Sequence, residues 1–161
     1  MQIDKSKLSA RGGSVFGGET FVALDYKVGL VASYFNEEIT SALINSAKDA
    51  LEKYQVAEKN IKLVKVAGCV EIPLMLQHLA KSKEYDCLVA LGAVVRGETS
   101  HFDYVAKIVT EGILKVMLEH HLPIGFGVLT TDNLEQAKER VNTGSVATSA
   151  ALHSAHLIKQ N

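Results

Sequence analysis

His101 follows the run Leu91-Gly92-Ala93-Val94-Val95-Arg96-Gly97-Glu98-Thr99-Ser100, and the order of residue types there could give an imidazole work to do. Asp86-Cys87-Leu88-Val89-Ala90-Leu91 is too short and too evenly apolar for an amphipathic helix and suits a parallel strand covered on both faces. A Gly-containing polar loop follows, then a helix. Ser100 with Asp103 three residues on reads as a capping box, which makes His101 the first helical residue. A free imidazole titrates near pH ~6.5, so it can take and return protons close to neutrality. The loop Arg96-Gly97-Glu98-Thr99-Ser100 would present backbone amides at the positive end of that helix, a setting suited to phosphate. The chemistry expected is proton transfer beside a bound phosphate. A lone histidine at a helix start is also an ordinary surface residue, and the rest of the chain has to decide between the two.

Other reactive side chains carry less. Cys69 and Cys87 are the two cysteines, with no C-x-x-C spacing to suggest metal or redox chemistry. Cys87 reads as core, and Cys69 stands in the loop Gly68-Cys69-Val70-Glu71. His153 and His156 have a spacing that can hold a metal, but without neighbouring acidic or thiol ligands they read as surface histidines and no metal site is expected. His78, near Lys81 and Lys83, reads as solvated, and His120-His121 as a helix end. G-x-S-x-G, G-x-x-x-x-G-K-[ST] and G-x-G-x-x-G are all absent, which disfavours a serine elbow and an ATP or dinucleotide site.

The 161 residues carry a formal net charge of −1 with 47% hydrophobic residues, enough for one domain with a full core. No basic stripe points to nucleic acid, and no apolar run approaches the ~20 residues of a membrane span. Small molecules are the expected partners, the cytoplasm the expected location. Residues 1–19, with four glycines, read as an N-terminal arm and 20–161 as a single α/β domain, with Thr20 to Tyr26 a short strand at a sheet edge or paired with another subunit.

From Lys27 the chain alternates. Strands are predicted at Val28 to Ser33, Ile61 to Val66, Asp86 to Leu91 and Pro123 to Leu129. Helices are predicted at about Glu37 to Tyr54 behind an Asn36 cap, Glu71 to Ser82 with Pro73 in its first turn, His101 to His120, a segment capped by Asp132 with Glu135 and running through about Val141, and Ser145 to Lys159. This pattern gives a three-layer α/β/α sandwich on a central parallel sheet of about four strands, with ligands outside the strands' carboxyl ends. Tyr34-Phe35-Asn36, Gly68-Cys69-Val70-Glu71, Ala93 to Ser100 and Thr130-Thr131-Asp132 are the loops at that end.

These loops, in this order, resemble the 6,7-dimethyl-8-ribityllumazine synthase family of riboflavin biosynthesis over roughly Lys27 to Val141. The run GAVVRGETSHFDYV carries most of the likeness, supported by Tyr34-Phe35-Asn36, Val70-Glu71-Ile72-Pro73, Phe126-Gly127-Val128-Leu129-Thr130-Thr131 and Glu135-Gln136-Ala137-Lys138-Glu139-Arg140. The resemblance implies a flavodoxin-like fold and a cofactor-free transferase. Such an enzyme condenses 5-amino-6-(D-ribitylamino)uracil with 3,4-dihydroxy-2-butanone 4-phosphate, releasing phosphate and water. It implies His101 as the proton-transfer residue and Phe35 as the ring stacked on the uracil. Cys69, Val70, Glu71, Ala93, Val94, Val95 and, from a neighbouring subunit, Phe126 would bind pyrimidine and ribityl groups. Gly97, Glu98, Thr99 and Arg140 would bind phosphate. It further implies a homopentamer, or multiples of it up to an icosahedral shell, with the site at a subunit interface.

Two departures keep a second reading open. Glu98 stands where the family usually has a small residue, and Val141-Asn142-Thr143-Gly144-Ser145-Val146-Ala147-Thr148 replaces a Gly- and Lys-rich connector. Both fit a non-catalytic riboflavin- or lumazine-binding, or shell-forming, paralogue. A flavodoxin-like flavin module on the same architecture is the third reading.

Overall fold

A computed structural model describes Phe16 and residues 21–161. The elements run β1 (Val28–Ser33), α1 (Glu37–Lys53), β2 (Ile61–Val66), α2 (Ile72–Lys81), β3 (Cys87–Val95), α3 (His101–Glu119), β4 (Ile124–Thr131), α4 (Leu134–Lys138) and α5 (Thr143–Gln160). All strand pairs are parallel, in the order β2-β1-β3-β4.

The period-2 alternation of β3 explains the layers. Cys87, Val89, Leu91 and Ala93 join a core with α1 and α5, while Leu88, Ala90 and Val94 join a second core with α2 and α3. Helices therefore cover both faces, and the chain is a three-layer α/β/α sandwich of the flavodoxin-like kind. Since β1 and β3 are neighbours but lead to helices on opposite faces, their outgoing loops diverge and leave a crevice between them. On one face α5 packs closely against both α1 and β4: a Cβ at Gly144 would run into the Leu43 carbonyl of α1, and one at Gly125 of β4 into the Ala147 carbonyl of α5. The Ala, Ser and Thr content of α5 serves that approach.

Several local expectations are corrected. Residues 21–26 form no strand. The Ala23 amide donates to the Tyr54 carbonyl, Tyr26 donates back to Ala23, and Ala57 donates to the Leu24 carbonyl, so these backbone groups are spent on a turn against the end of α1. Phe21 stacks on His156 with ring centroids 4.1 Å apart, and the Tyr26 hydroxyl lies 3.1 Å from His156 Nδ1. His153 packs against Phe16, so neither histidine is the surface residue expected; both are half-buried. The proposed arm, residues 1–19, lies outside the described residues apart from Phe16. Ala93-Val94-Val95, taken as loop, extends β3 by pairing with Leu129, Thr130 and Thr131. α4 is capped by Asn133, whose side chain accepts from Gln136 N, and not by Asp132, and it ends at Lys138, short of the expected Val141, where the chain turns into α5. Among the described residues no helix is long and apolar enough to cross a membrane.

Candidate active site

The crevice between β1 and β3 is built from its backbone upward. Asn36, the residue before α1, takes a left-handed conformation (φ 57°), which asparagine tolerates better than most residues. Its side chain makes no cap; Nδ2 donates instead to the Ala93 carbonyl at 2.9 Å, tying the β1 loop to β3. The buried hydroxyls of Ser33 and Thr40 both donate to the Phe35 carbonyl, at 3.4 and 3.2 Å. This backbone is fixed while the Phe35 ring is left 74% exposed, an arrangement for covering a flat ligand rather than filling a core.

Opposite, β3 gives way to the loop of residues 97–100 and the first turn of α3. His101 is the first helical residue, as the sequence predicts, but the capping box does not form. Its role passes to Thr99, whose Oγ1 accepts from the His101 amide at 3.3 Å, while Asp103 turns to Arg96. Among the described residues, the amides of Gly97, Glu98, Thr99 and Ser100 have no intramolecular acceptor. Free amides at the start of a 19-residue helix favour an anion there.

A cavity of about 230 Å³ joins these parts, lined by Phe35, Asn36, Val94, Val95, Gly97, Thr99, His101, Phe102 and Val105. Six of the residues singled out from the sequence are thus brought together: Phe35, Val94, Val95, Gly97, Thr99 and His101. Asn36, Phe102 and Val105 were missed as lining. Helical spacing held the signal for Val105, four residues and about one turn after His101.

The others lie elsewhere. Ala93 sits beneath, contributing its carbonyl. Cys69 is buried, its Sγ 3.8 Å from Ser33 Oγ, and burial pushes its thiol pKa up. Val70 is exposed, and the Glu71 carboxylate accepts from the Gly68 amide at 2.9 Å, closing the turn before α2. Glu98 is exposed and does not line the cavity. Arg140, exposed in the turn two residues past the end of α4, donates to the Gln136 carbonyl at 2.8 Å. Phe126, 42% exposed on the edge strand β4, lies in a separate groove of about 300 Å³ with Met117, Leu118, Leu122 and Ile158.

A family model for 6,7-dimethyl-8-ribityllumazine synthase matches residues 25–159, which takes in every strand and nearly all of the helical structure described above. On that match, the chain belongs to the 6,7-dimethyl-8-ribityllumazine synthase family.

Proposed function

We propose that this protein condenses 5-amino-6-(D-ribitylamino)uracil with 3,4-dihydroxy-2-butanone 4-phosphate, as a cofactor-free transferase of riboflavin biosynthesis acting in the cytoplasm. The observation that carries the reading is the single cavity in which an exposed aromatic ring, a helix-start imidazole and free backbone amides converge. The Phe35 ring covers the uracil. The amides of Gly97, Glu98 and Thr99, with the Thr99 hydroxyl, hold the phosphate at the end of α3. His101 then stands between the two and serves the successive proton transfers: loss of water as amine and ketone form an imine, departure of phosphate, and ring closure with loss of a second water. Glu98 turns to solvent, which removes its charge from direct opposition to the phosphate.

Arg140 and Phe126 do not reach this cavity within one chain, so the reading assigns them to the site of a neighbouring copy. A second subunit seated with its β4 edge over the crevice would supply a cation to the phosphate and an aromatic ring to the pyrimidine. A homopentamer or a multiple of it has this head-to-tail contact, since a repeated heterologous interface closes into a ring.

The test is direct: the pure protein is incubated with both substrates and the lumazine product is followed by its fluorescence, with released phosphate measured alongside. Product and phosphate in equal amounts are expected. Tight binding of riboflavin or lumazine without turnover would replace this reading with that of a ligand-holding paralogue, and a bound redox-active flavin with that of a flavin module.

A further inference from the structure

Arg96 stands at the last residue before the loop of residues 97–100, and its contacts reach past the loop's far end. Its backbone amide donates to the Thr131 carbonyl, extending the sheet by one rung. Its guanidinium donates through Nε to Asp132 at 3.0 Å, lies 3.5 Å from Asp103 in the first turn of α3, and stacks 4.3 Å from the centroid of the Phe102 ring. Phe102 lines the cavity beside His101. Gly97 touches nothing within 4 Å of where a Cβ would be, and the hydrogen bonds of residues 97–100 are confined to Thr99 with His101 and Ser100 with Asp103.

From this geometry we propose that Arg96 is a positioning residue, a staple that closes the anion-binding loop by joining its entry to Phe102 and Asp103 at its exit, and so sets the reach from the loop amides to His101. The inference rests on the substrate assignment above only for its kinetic consequence. A loop of four residues with free amides loses conformational freedom when it closes on a phosphate, and a staple spends that entropy beforehand. Arg96 also balances Asp103 and Asp132, two carboxylates that would otherwise repel an anion at this place. The planar fork is what the arrangement uses, because one face stacks on Phe102 while the edge meets two carboxylates; lysine keeps the charge but has no plane with which to do both at once.

The test compares wild type with Arg96→Lys and Asp132→Asn. Inorganic phosphate is titrated into each protein while the His101 imidazole signals are followed by NMR, and KM is measured separately for the two substrates. Arg96→Lys is expected to need about tenfold more phosphate for the same response, and to raise KM for the phosphorylated ketone while leaving that for the aminouracil unchanged; Asp132→Asn, which keeps an acceptor for Nε and removes a repelling charge, is expected to change either by much less. Unaltered phosphate affinity in Arg96→Lys overturns the proposal, and so does an equal rise in both of its KM values accompanied by a lowered melting temperature. A wild-type protein whose His101 ignores phosphate overturns it too. Phosphate binding that weakens in the Arg96→Lys variant of a protein without condensing activity removes the synthase reading and leaves the staple standing.

Discussion

His101 and Thr99 meet at the first turn of α3, where the threonine hydroxyl accepts the histidine's own amide and the imidazole is left to the cavity. An imidazole so held is free to exchange protons, and general acid-base help of this kind is typically worth ~10²–10⁴-fold. His101→Ala is therefore expected to lower kcat by about that factor without abolishing turnover, because the two substrates are still held together. Steady-state kinetics with lumazine fluorescence measures it; an unchanged kcat would take His101 out of the mechanism. The cysteines are a different matter. Burial raises the thiol pKa of both Cys69 and Cys87, which starves them of thiolate, the reactive form. Iodoacetamide at pH 8 is expected to label neither in the folded protein and both in urea, as read by intact mass; rapid labelling of folded Cys69 would show that the cover around it, beside Ser33, opens.

At the scale of elements, the close approach of α1 and α5 makes one glycine decisive. The Leu43 carbonyl occupies the space that a side chain at Gly144 would need, and backbone cannot step aside as a flexible side chain can. Gly144→Ala is expected to cost about 1–3 kcal/mol of stability, measurable as a lowered urea midpoint with an unchanged m-value. The same close packing explains what could be read in advance. Strands β1 to β4 and helices α1, α2, α3 and α5 were legible because buried faces impose period 2 or 3.6 on the sequence, and the loops that follow β1 and β3 carried the family's likeness. What escaped were features with no periodic signature. Asn36 reads as a cap, yet its amide goes to Ala93 across the sheet; Asp103 reads as half of a capping box, yet Arg96 takes it; His153 and His156 read as solvated, yet Phe16 and Phe21 lie on them. For Asn36 and the two histidines the partner is distant in sequence, and for Asp103 it lies seven residues away across a loop, so helical spacing reveals none of them. The β2-β1-β3-β4 order was equally hidden, because alternation requires crossovers but does not say on which side of β1 the chain returns.

For the molecule as a whole, two contacts decide behaviour. Asp86 ties the start of β1 to the end of α5: the Lys27 amide donates to it at 2.7 Å and Lys159 Nζ on α5 at 2.8 Å. The Lys159 pKa is raised, chiefly by that hydrogen bond. A lysine whose pKa is higher folded than unfolded stabilises fully below the ordinary lysine range and loses the contribution as pH rises through the folded value. Asp86→Asn is therefore expected to lower the melting temperature at pH 8, and the gap should close at alkaline pH above that range; the effect is modest, since half-exposed pairs are worth up to about 1 kcal/mol. The second is the contact proposed between copies. If Arg140 of one subunit completes the cavity that holds His101 of another, each active site draws on two chains, and damage to the two residues can be separated. His101→Ala and Arg140→Ala are each expected to be severely impaired alone. Unfolded together and reassembled at equal concentration, they should form mixed rings in which about one quarter of the interfaces pair an intact His101 with an intact Arg140. Activity should return toward that fraction of the wild-type value, while either variant reassembled alone stays impaired. Were both residues to act within a single chain, mixing would restore nothing, because every chain carries one lesion. Recovery that tracks the product of the two intact fractions, as the mixing ratio is varied, would establish a site shared between subunits without reference to the size of the assembly.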